Sequence, residues 1–271
     1  MVVREVRARR VLSPSGIYDV DYSVNPYVGC EHACAYCFAR GLCRVPEVRE
    51  NWGNLVYVKV NAPRVLRREL RRARRGTVLV SSVTDPYQPV EARYQLTRRV
   101  LEALLRHGFP VVVMTKSDLV LRDADLLCEI GEVEVGLTIT CDESASRALE
   151  PRAPLPSRRV RALRELSGLG LETFAFIGPF IPIVTEAALE DMLVELRDAG
   201  VGRVVVDALS TRYLDVESFL SRLEPLLSPS ELSQVEAILK SSKHYVAYYQ
   251  RVRRLAGSLC SRLGLQVSFA Y

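Results

Sequence analysis

Lysine is scarce in this chain: Lys59, Lys116, Lys240 and Lys243 are the only four among 37 basic residues. The remaining positive charge is arginine, the better donor for planar, bidentate contacts with phosphate and carboxylate. No apolar run is long enough to cross a bilayer as a helix, so a helical membrane span is excluded. The opening Met-Val-Val-Arg-Glu-Val-Arg-Ala-Arg-Arg carries charge where a signal peptide needs an apolar stretch. Seven cysteines, an odd number, close no complete disulfide framework, and four of them crowd between positions 30 and 43. In a reducing compartment such crowding points to metal or redox chemistry. The expectation is a cytoplasmic protein with no membrane partner. Low-complexity tracts and an internal linker are missing too, which argues against widespread disorder.

What is there suits a well-filled core: 48% of residues are hydrophobic and 25% charged, with a modest net charge of +5. After a basic N-terminal stretch, residues 17–29 hold several turn-formers and lead into the cysteines. A rhythm then begins. Leu55–Val60 reads as a strand and Pro63–Arg75 as an arginine-rich helix. Thr77–Val83 reads as a buried strand, followed by a helix over Glu91–His107. Strands over Pro110–Thr115, Val133–Thr140, Thr173–Ile177 and Arg203–Leu209 alternate with helices over Leu119–Ile130, Ser157–Ser167 and Thr185–Ala199. Such alternation builds parallel βαβ units with right-handed crossovers. A complete or partial (β/α) barrel leads as the fold, with a doubly wound open sheet second. Residues 215–263 read as mostly helical and Leu265–Tyr271 as a last strand. The expected organisation is therefore a barrel over 1–214 and a helical extension, 215–271, packed on it.

The chemical signal is Cys30, Cys34 and Cys37, spaced C-x-x-x-C-x-x-C. Three thiolates at this spacing can wrap one face of a [4Fe–4S] cube and leave its fourth iron free for a small molecule. Gly29 permits close backbone approach, and Pro26 stiffens the lead-in. Two other readings stand beside this one. Cys30, His32, Cys34 and Cys37 supply four zinc ligands, although structural zinc sites usually draw on two separated knuckles. Cys43 as a fourth cluster ligand would give a closed electron-transfer centre.

The segment Asn25-Pro26-Tyr27-Val28-Gly29-Cys30-Glu31-His32-Ala33-Cys34-Ala35-Tyr36-Cys37, with an aromatic before its third cysteine, resembles the signature of the radical S-adenosylmethionine (SAM) superfamily. Its longer pattern is similar to the spore photoproduct lyase-like branch, often labelled DNA repair photolyases. Thr84-Asp85-Pro86-Tyr87-Gln88-Pro89 with Glu91, Thr115-Lys116, Leu149-Glu150-Pro151 and Pro179-Phe180-Ile181-Pro182 extend the resemblance over roughly residues 20–210.

The resemblance implies a partial (β/α)6 TIM-like barrel of the radical SAM type, with cluster and SAM at the C-terminal mouth of the strands. It implies an enzyme of lyase or oxidoreductase type that cleaves SAM reductively and abstracts hydrogen from a substrate. An external electron donor of ferredoxin or flavodoxin type would supply the electron. Lys116, at the end of an apolar strand, resembles a ligand for the SAM carboxylate. Thr84 and Asp85 would meet SAM's polar groups, or else cap a proline-containing turn. Thr138 and Thr140 alternate along a strand, and either would reach SAM. Tyr36 would contact the adenine or the cluster edge.

One departure matters. Spore photoproduct lyase carries a hydrogen-donating cysteine close before the Thr84–Asp85 motif, where this chain has Ser81, Ser82 and Val83. A serine does not return a hydrogen atom as a thiol does, so the repair activity does not follow. Cys141 is the nearest replacement.

Among the remaining residues, Arg152 would pair with Glu150 or with a substrate phosphate. Arg64, Arg67, Arg68, Arg71, Arg72, Arg74 and Arg75 would put several guanidinium groups on one helix face, suited to nucleic acid or simply to solvent. Tyr245, Tyr248 and Tyr249 near Arg251, Arg253 and Arg254 read either as a stacking surface or as helix packing. Two rival functions stay open: a nucleic-acid-binding protein with a structural metal–cysteine loop, and a cluster-bearing electron carrier.

Overall fold

The computed structural model describes all residues, 1–271. Eleven strands form two sheets: β1 (Val2–Val6), β2 (Leu12–Pro14), β3 (Tyr22–Val24), β4 (Tyr27–Val28), β5 (Leu55–Lys59), β6 (Val78–Val80), β7 (Val111–Thr115), β8 (Val133–Thr138), β9 (Glu172–Phe180), β10 (Arg203–Ala208) and β11 (Gln266–Phe269). The large sheet runs β11-β10-β9-β8-β7-β6-β3-β2, parallel throughout except at the β2 edge. Six of these strands, β3 and β6 to β10, are the partial barrel. Its edges, β2 and β11, do not pair with each other, so the barrel stays open.

Two readings change. The first barrel strand is Tyr22–Val24, inside the stretch read as turns; three residues are too short to show a period. Leu55–Lys59 belongs to a small separate sheet ordered β1-β5-β4. That sheet ends the lead-in to the cysteines, because β4 pairs antiparallel with β5 directly before Gly29.

The helices follow the expected rhythm with shorter spans. The arginine-rich helix covers Ala62–Leu70 and stops before Arg71. The segment after β6 breaks into Glu91–Tyr94 and Leu96–His107 at Gln95, whose φ of 49° is left-handed. After β7 the chain winds first as a 3-10 turn, Asp118–Asp123, then as Ala124–Glu129. Helices Pro156–Gly168 and Val184–Asp198 cover β8 and β9. Beyond β10 come Val216–Leu223, Pro229–Lys240 and Ser242–Leu263, after which β11 returns to pair with β10.

Side chains alternate across each strand. Val78 and Val80, Val111 and Val113, Val135 and Leu137, and Val204 and Val206 face the helices and share one buried core. The opposite face lines the barrel's interior with Leu79, Met114, Gly136, Thr138, Phe174, Phe176 and Asp207. Gly136 is required there: a β-carbon would lie 2.2 Å from the Phe174 ring. Arg203 stacks its guanidinium 4.8 Å from the same ring and pairs with Glu134, closing the base of the interior. Tyr248 and Tyr249 are buried, and their hydroxyls bond Glu186 and the Phe180 carbonyl. These tyrosines pack the last long helix and offer no stacking surface.

Candidate active site

The cysteine loop leaves β4 at Gly29, whose φ of 88° and 2.7 Å distance from a notional β-carbon to the Leu55 carbonyl oxygen admit only glycine. Three clamps hold the loop. From the segment after β6, Thr84 donates its hydroxyl to the Gly29 carbonyl at 2.5 Å, and Gln88 Nε2 reaches the same oxygen at 3.2 Å. Glu31 accepts from the Val90 N–H, and its own N–H donates to Gln88 Oε1 at 3.0 Å. From the segment after β8, the Leu149 carbonyl accepts the Ala35 N–H at 2.8 Å. On the approach side, Asn25 Oδ1 accepts the N–H groups of Ser82 and Val83, and Tyr27 bonds buried Glu91. Glu91 in turn caps the helix from Leu96 by accepting the Leu96 and Thr97 N–H groups.

Asp85 is saturated within the chain. Its carboxylate accepts from the Thr115 hydroxyl (2.6 Å), the Tyr87 N–H (2.9 Å) and the Lys116 N–H (2.8 Å). His32 Nδ1 stands 3.4 Å from its other face. Burial alone would raise this carboxyl; the His32 ring and the bonds from Thr115 and Lys116 bring it down to about 2. Thr84 is likewise occupied, donating to Gly29 and accepting from Gln88.

Behind the loop lies a buried polar network. Glu150 accepts from Arg159, Tyr36, Thr140 and Ser146, and the Glu150 and Arg159 side chains are fully buried. Arg159 also donates to the carbonyls of Pro154 and Thr138. Burial would raise the Glu150 carboxyl, but Arg159 and Lys116 hold it at about 2. The expected Arg152–Glu150 pair does not form: Arg152 donates instead to the Gly53 carbonyl and Asn54. Arg159 wins because it projects from helix Pro156–Gly168 into the wall, whereas Arg152 lies on the surface loop.

Lys116 closes the cluster of charge. Its ammonium sits 5.5 Å from the Tyr36 ring centre, on the side of Cys34 and Glu150. Thr138 ends β8, nearly buried, beside Phe176 in register. Cys30, Cys34, Cys37, Tyr36, Thr84, Asp85 and Lys116 are thus gathered at the strand ends, linked through common neighbours. Cys43 turns its thiol to the Val45 carbonyl, and Cys141 is fully buried beside Thr140.

The sequence model of the radical SAM superfamily matches residues 24–208. This chain belongs to the radical SAM superfamily. An uncharacterised protein of Methanocaldococcus jannaschii is 37% identical over 66% of this chain and 67% of its own length. Uncharacterised mycobacterial proteins are 35% identical over 70% of the chain but 59% of theirs. A radical SAM Nα-GlyT isomerase of Pseudomonas phage M6 is 25% identical, over 75% of this chain and 42% of its own. Among solved structures, spore photoproduct lyase complexed with dinucleoside spore photoproduct matches with a TM-score of 0.71 over 99% of this chain and 82% of that one, at 13% identity. Streptococcus suis SuiB bound to S-adenosylmethionine gives 0.51 at 14% identity, over 91% of this chain and 49% of that one. These likenesses show the fold.

A radical SAM enzyme implies SAM, an iron–sulfur cluster and an external reductant, and the donor set of this loop fits a cluster. None of the three thiols is in a disulfide. Burial pushes the Cys34 thiol up to about 12, so thiolates here would need the charge of a metal beside them. His32 is buried with neither ring nitrogen hydrogen-bonded.

Some site residues were given no role from the sequence. Arg159 is one of many arginines and acquires its role only by burial. Ser81 adopts a left-handed φ of 69° and buries an unpartnered hydroxyl at the end of β6, a strained arrangement of the kind that gathers at active sites. Asp207, on the interior face of β10, has its carboxyl pushed up to about 6 by burial.

Proposed function

We propose that this chain holds a [4Fe–4S] cluster on Cys30, Cys34 and Cys37, binds SAM beside it, and directs a radical at a hydrogen of its substrate. When bound, cluster and SAM supply the difficult step, a one-electron cleavage that yields a carbon radical able to take a hydrogen atom. The observation that carries this reading is the three unpaired thiols on one loop, clamped at its start, middle and approach, with a lysine ammonium at the same rim.

The chain's own residues orient and enclose. Lys116 offers its ammonium to the SAM carboxylate. Tyr36, its hydroxyl fixed by Glu150, presents its ring face to that ammonium. Thr138 lines the interior at SAM's far side. Thr84 and Asp85 act by holding the rim, since their polar atoms are already engaged with Gly29, Gln88, Thr115, Tyr87 and Lys116. Asp207, on the interior face of β10, is the acidic group offered to substrate.

A nucleic-acid substrate is supported by a band of exposed arginine. Asn61 exchanges two hydrogen bonds with Ala8, Glu69 accepts the Val11 and Leu12 N–H groups, and Arg68 donates to the Arg9 carbonyl. The N-terminal segment is thereby strapped along helix Ala62–Leu70, setting Arg7, Arg9 and Arg10 beside Arg64, Arg67, Arg68, Arg71 and Arg72, all exposed. The solved lyase complexed with dinucleoside spore photoproduct supports the same class. The reducing cytoplasm suits a loop of three free thiols, and residues 215–271 serve as a mostly helical extension packed on the barrel.

The test is anaerobic reconstitution. It should give about four irons per chain and dithionite-dependent release of 5′-deoxyadenosine, both lost in Cys30→Ala. Stoichiometric zinc with no SAM turnover would overturn the reading.

A further inference from the structure

Helix Phe38–Leu42 begins at the residue after Cys37. Phe38 and Leu42 stand four residues apart, hence on one face, and are 46% and 40% exposed. Between them Gly41 carries Tyr213 directly on its backbone; a β-carbon there would lie 2.5 Å from Tyr213 Cβ. Tyr213, 36% exposed, belongs to the loop after β10, so first and last barrel units meet in one apolar patch beside the cysteine loop. Arg40, Arg44 and Arg212 are exposed around it, with the Arg212 guanidinium 5.2 Å from the Tyr213 ring centre. Neither 38–44 nor 210–214 contains an acidic residue. An apolar centre inside a charged rim is the anatomy of a protein–protein interface.

We propose that the Phe38–Leu42–Tyr213 patch and its arginine rim dock the external one-electron donor, an acidic carrier of flavodoxin type. This rests on the reading that Cys30, Cys34 and Cys37 hold an electron-accepting cluster. Electrons cross protein only over short spans, and a helical rise of 1.5 Å per residue places Leu42 about 8 Å along the chain axis from Cys37. The donor loses one electron, the cluster gains it, and no atom is transferred. Unopposed arginines attract an acidic partner and orient it. Nucleic acid fits this patch less well, because its centre is aliphatic and aromatic while the dense phosphate-binding band lies on helix Ala62–Leu70 and its strap.

The experiment compares the wild type with Arg40→Glu/Arg44→Glu and, as a charge control on the outer wall, Arg161→Glu/Arg164→Glu. Binding of a purified flavodoxin is measured by anaerobic calorimetry at two salt concentrations, on protein before and after cluster reconstitution. The Arg40/Arg44 reversal should weaken binding at least tenfold and slow flavodoxin-driven cluster reduction, followed optically, by a similar factor. Dithionite-driven reduction should be unchanged in all proteins. Unaltered flavodoxin affinity in the Arg40/Arg44 variant overturns the proposal, as does no binding by the wild type or equal loss in the Arg161/Arg164 control. Weakened oligonucleotide binding with intact flavodoxin binding overturns it too. Failure of dithionite to reduce any of the proteins counts against the cluster reading, while the binding measurement still decides the surface.

Discussion

Arg159 and Glu150 show how a buried pair is a liability as much as a support. Each is desolvated, and each is tolerated because its hydrogen-bonding capacity is filled by the other and by Tyr36, Thr140, Ser146 and two backbone carbonyls. Arg159→Met strands the Glu150 charge and should cost about 3–5 kcal/mol in urea unfolding. Adding Glu150→Gln to it should recover a substantial part. Two independent, additive losses would show that the pair is not coupled.

Asp207 makes a pH prediction of the opposite sign to a salt-bridged carboxylate. Its folded pKa, about 6, lies above the ordinary value of 3.8 because burial disfavours the charge. The unfolded chain therefore releases this proton first, and stability falls as pH rises from about 4 to about 6, then levels. For a partly exposed group the loss is on the order of 1 kcal/mol. Asp207→Asn should flatten that part of the profile; an unchanged profile would refute the assignment. At this scale the cysteines and Lys116 were legible, because their spacing and scarcity mark them before any folding. Arg159, Ser81 and Asp207 were not, since burial, strain and the lack of a partner are properties of the folded chain alone.

Among the elements, the cysteine loop depends on a sheet that the sequence rhythm does not announce. β4 is only two residues long, and β1, although it matches β5 at five residues, is interrupted by Arg4 and Glu5 within the basic N-terminal stretch, so only β5 reads as a strand. The helices were legible from their period, but their ends were set by local devices. Gln95 breaks the helix after β6 because buried Glu91 takes the Leu96 and Thr97 N–H groups, a cap supplied from four residues before the break. Gly29→Ala should cost about 1–2 kcal/mol for its left-handed backbone, and the contact with the Leu55 carbonyl should displace the loop. Iron retained after reconstitution should fall well below wild type while the circular dichroism spectrum is kept. Full iron loading would mean that the close approach is dispensable.

Over the whole molecule, two groupings of exposed arginine bear on function: a band on helix Ala62–Leu70 with its strap, and a smaller rim beside the cysteine loop. The helix half of the band was visible in the sequence, but Arg7, Arg9 and Arg10 join it only through the Ala8–Asn61 and Arg68–Arg9 bonds. Single-stranded oligonucleotide affinity should fall with salt, each phosphate contact adding about 0.7 to the logarithmic slope. Arg67→Ala with Arg71→Ala should lower that slope by about 1–2. Asn61→Ala, which frees the strap without removing charge, should weaken binding at constant slope. An unchanged slope in the arginine variant would remove the band as the contact.

The two edges of the large sheet, β2 and β11, never meet, and this has a consequence for what the interior can accept. A closed barrel admits only what fits through its mouth end-on. On the proposed function, a side seam would let a long polymer be laid in sideways, with one unit turned toward the thiol loop and the rest continuing outward in both directions. A radical generated inside would then reach an internal position of such a chain without needing a free end.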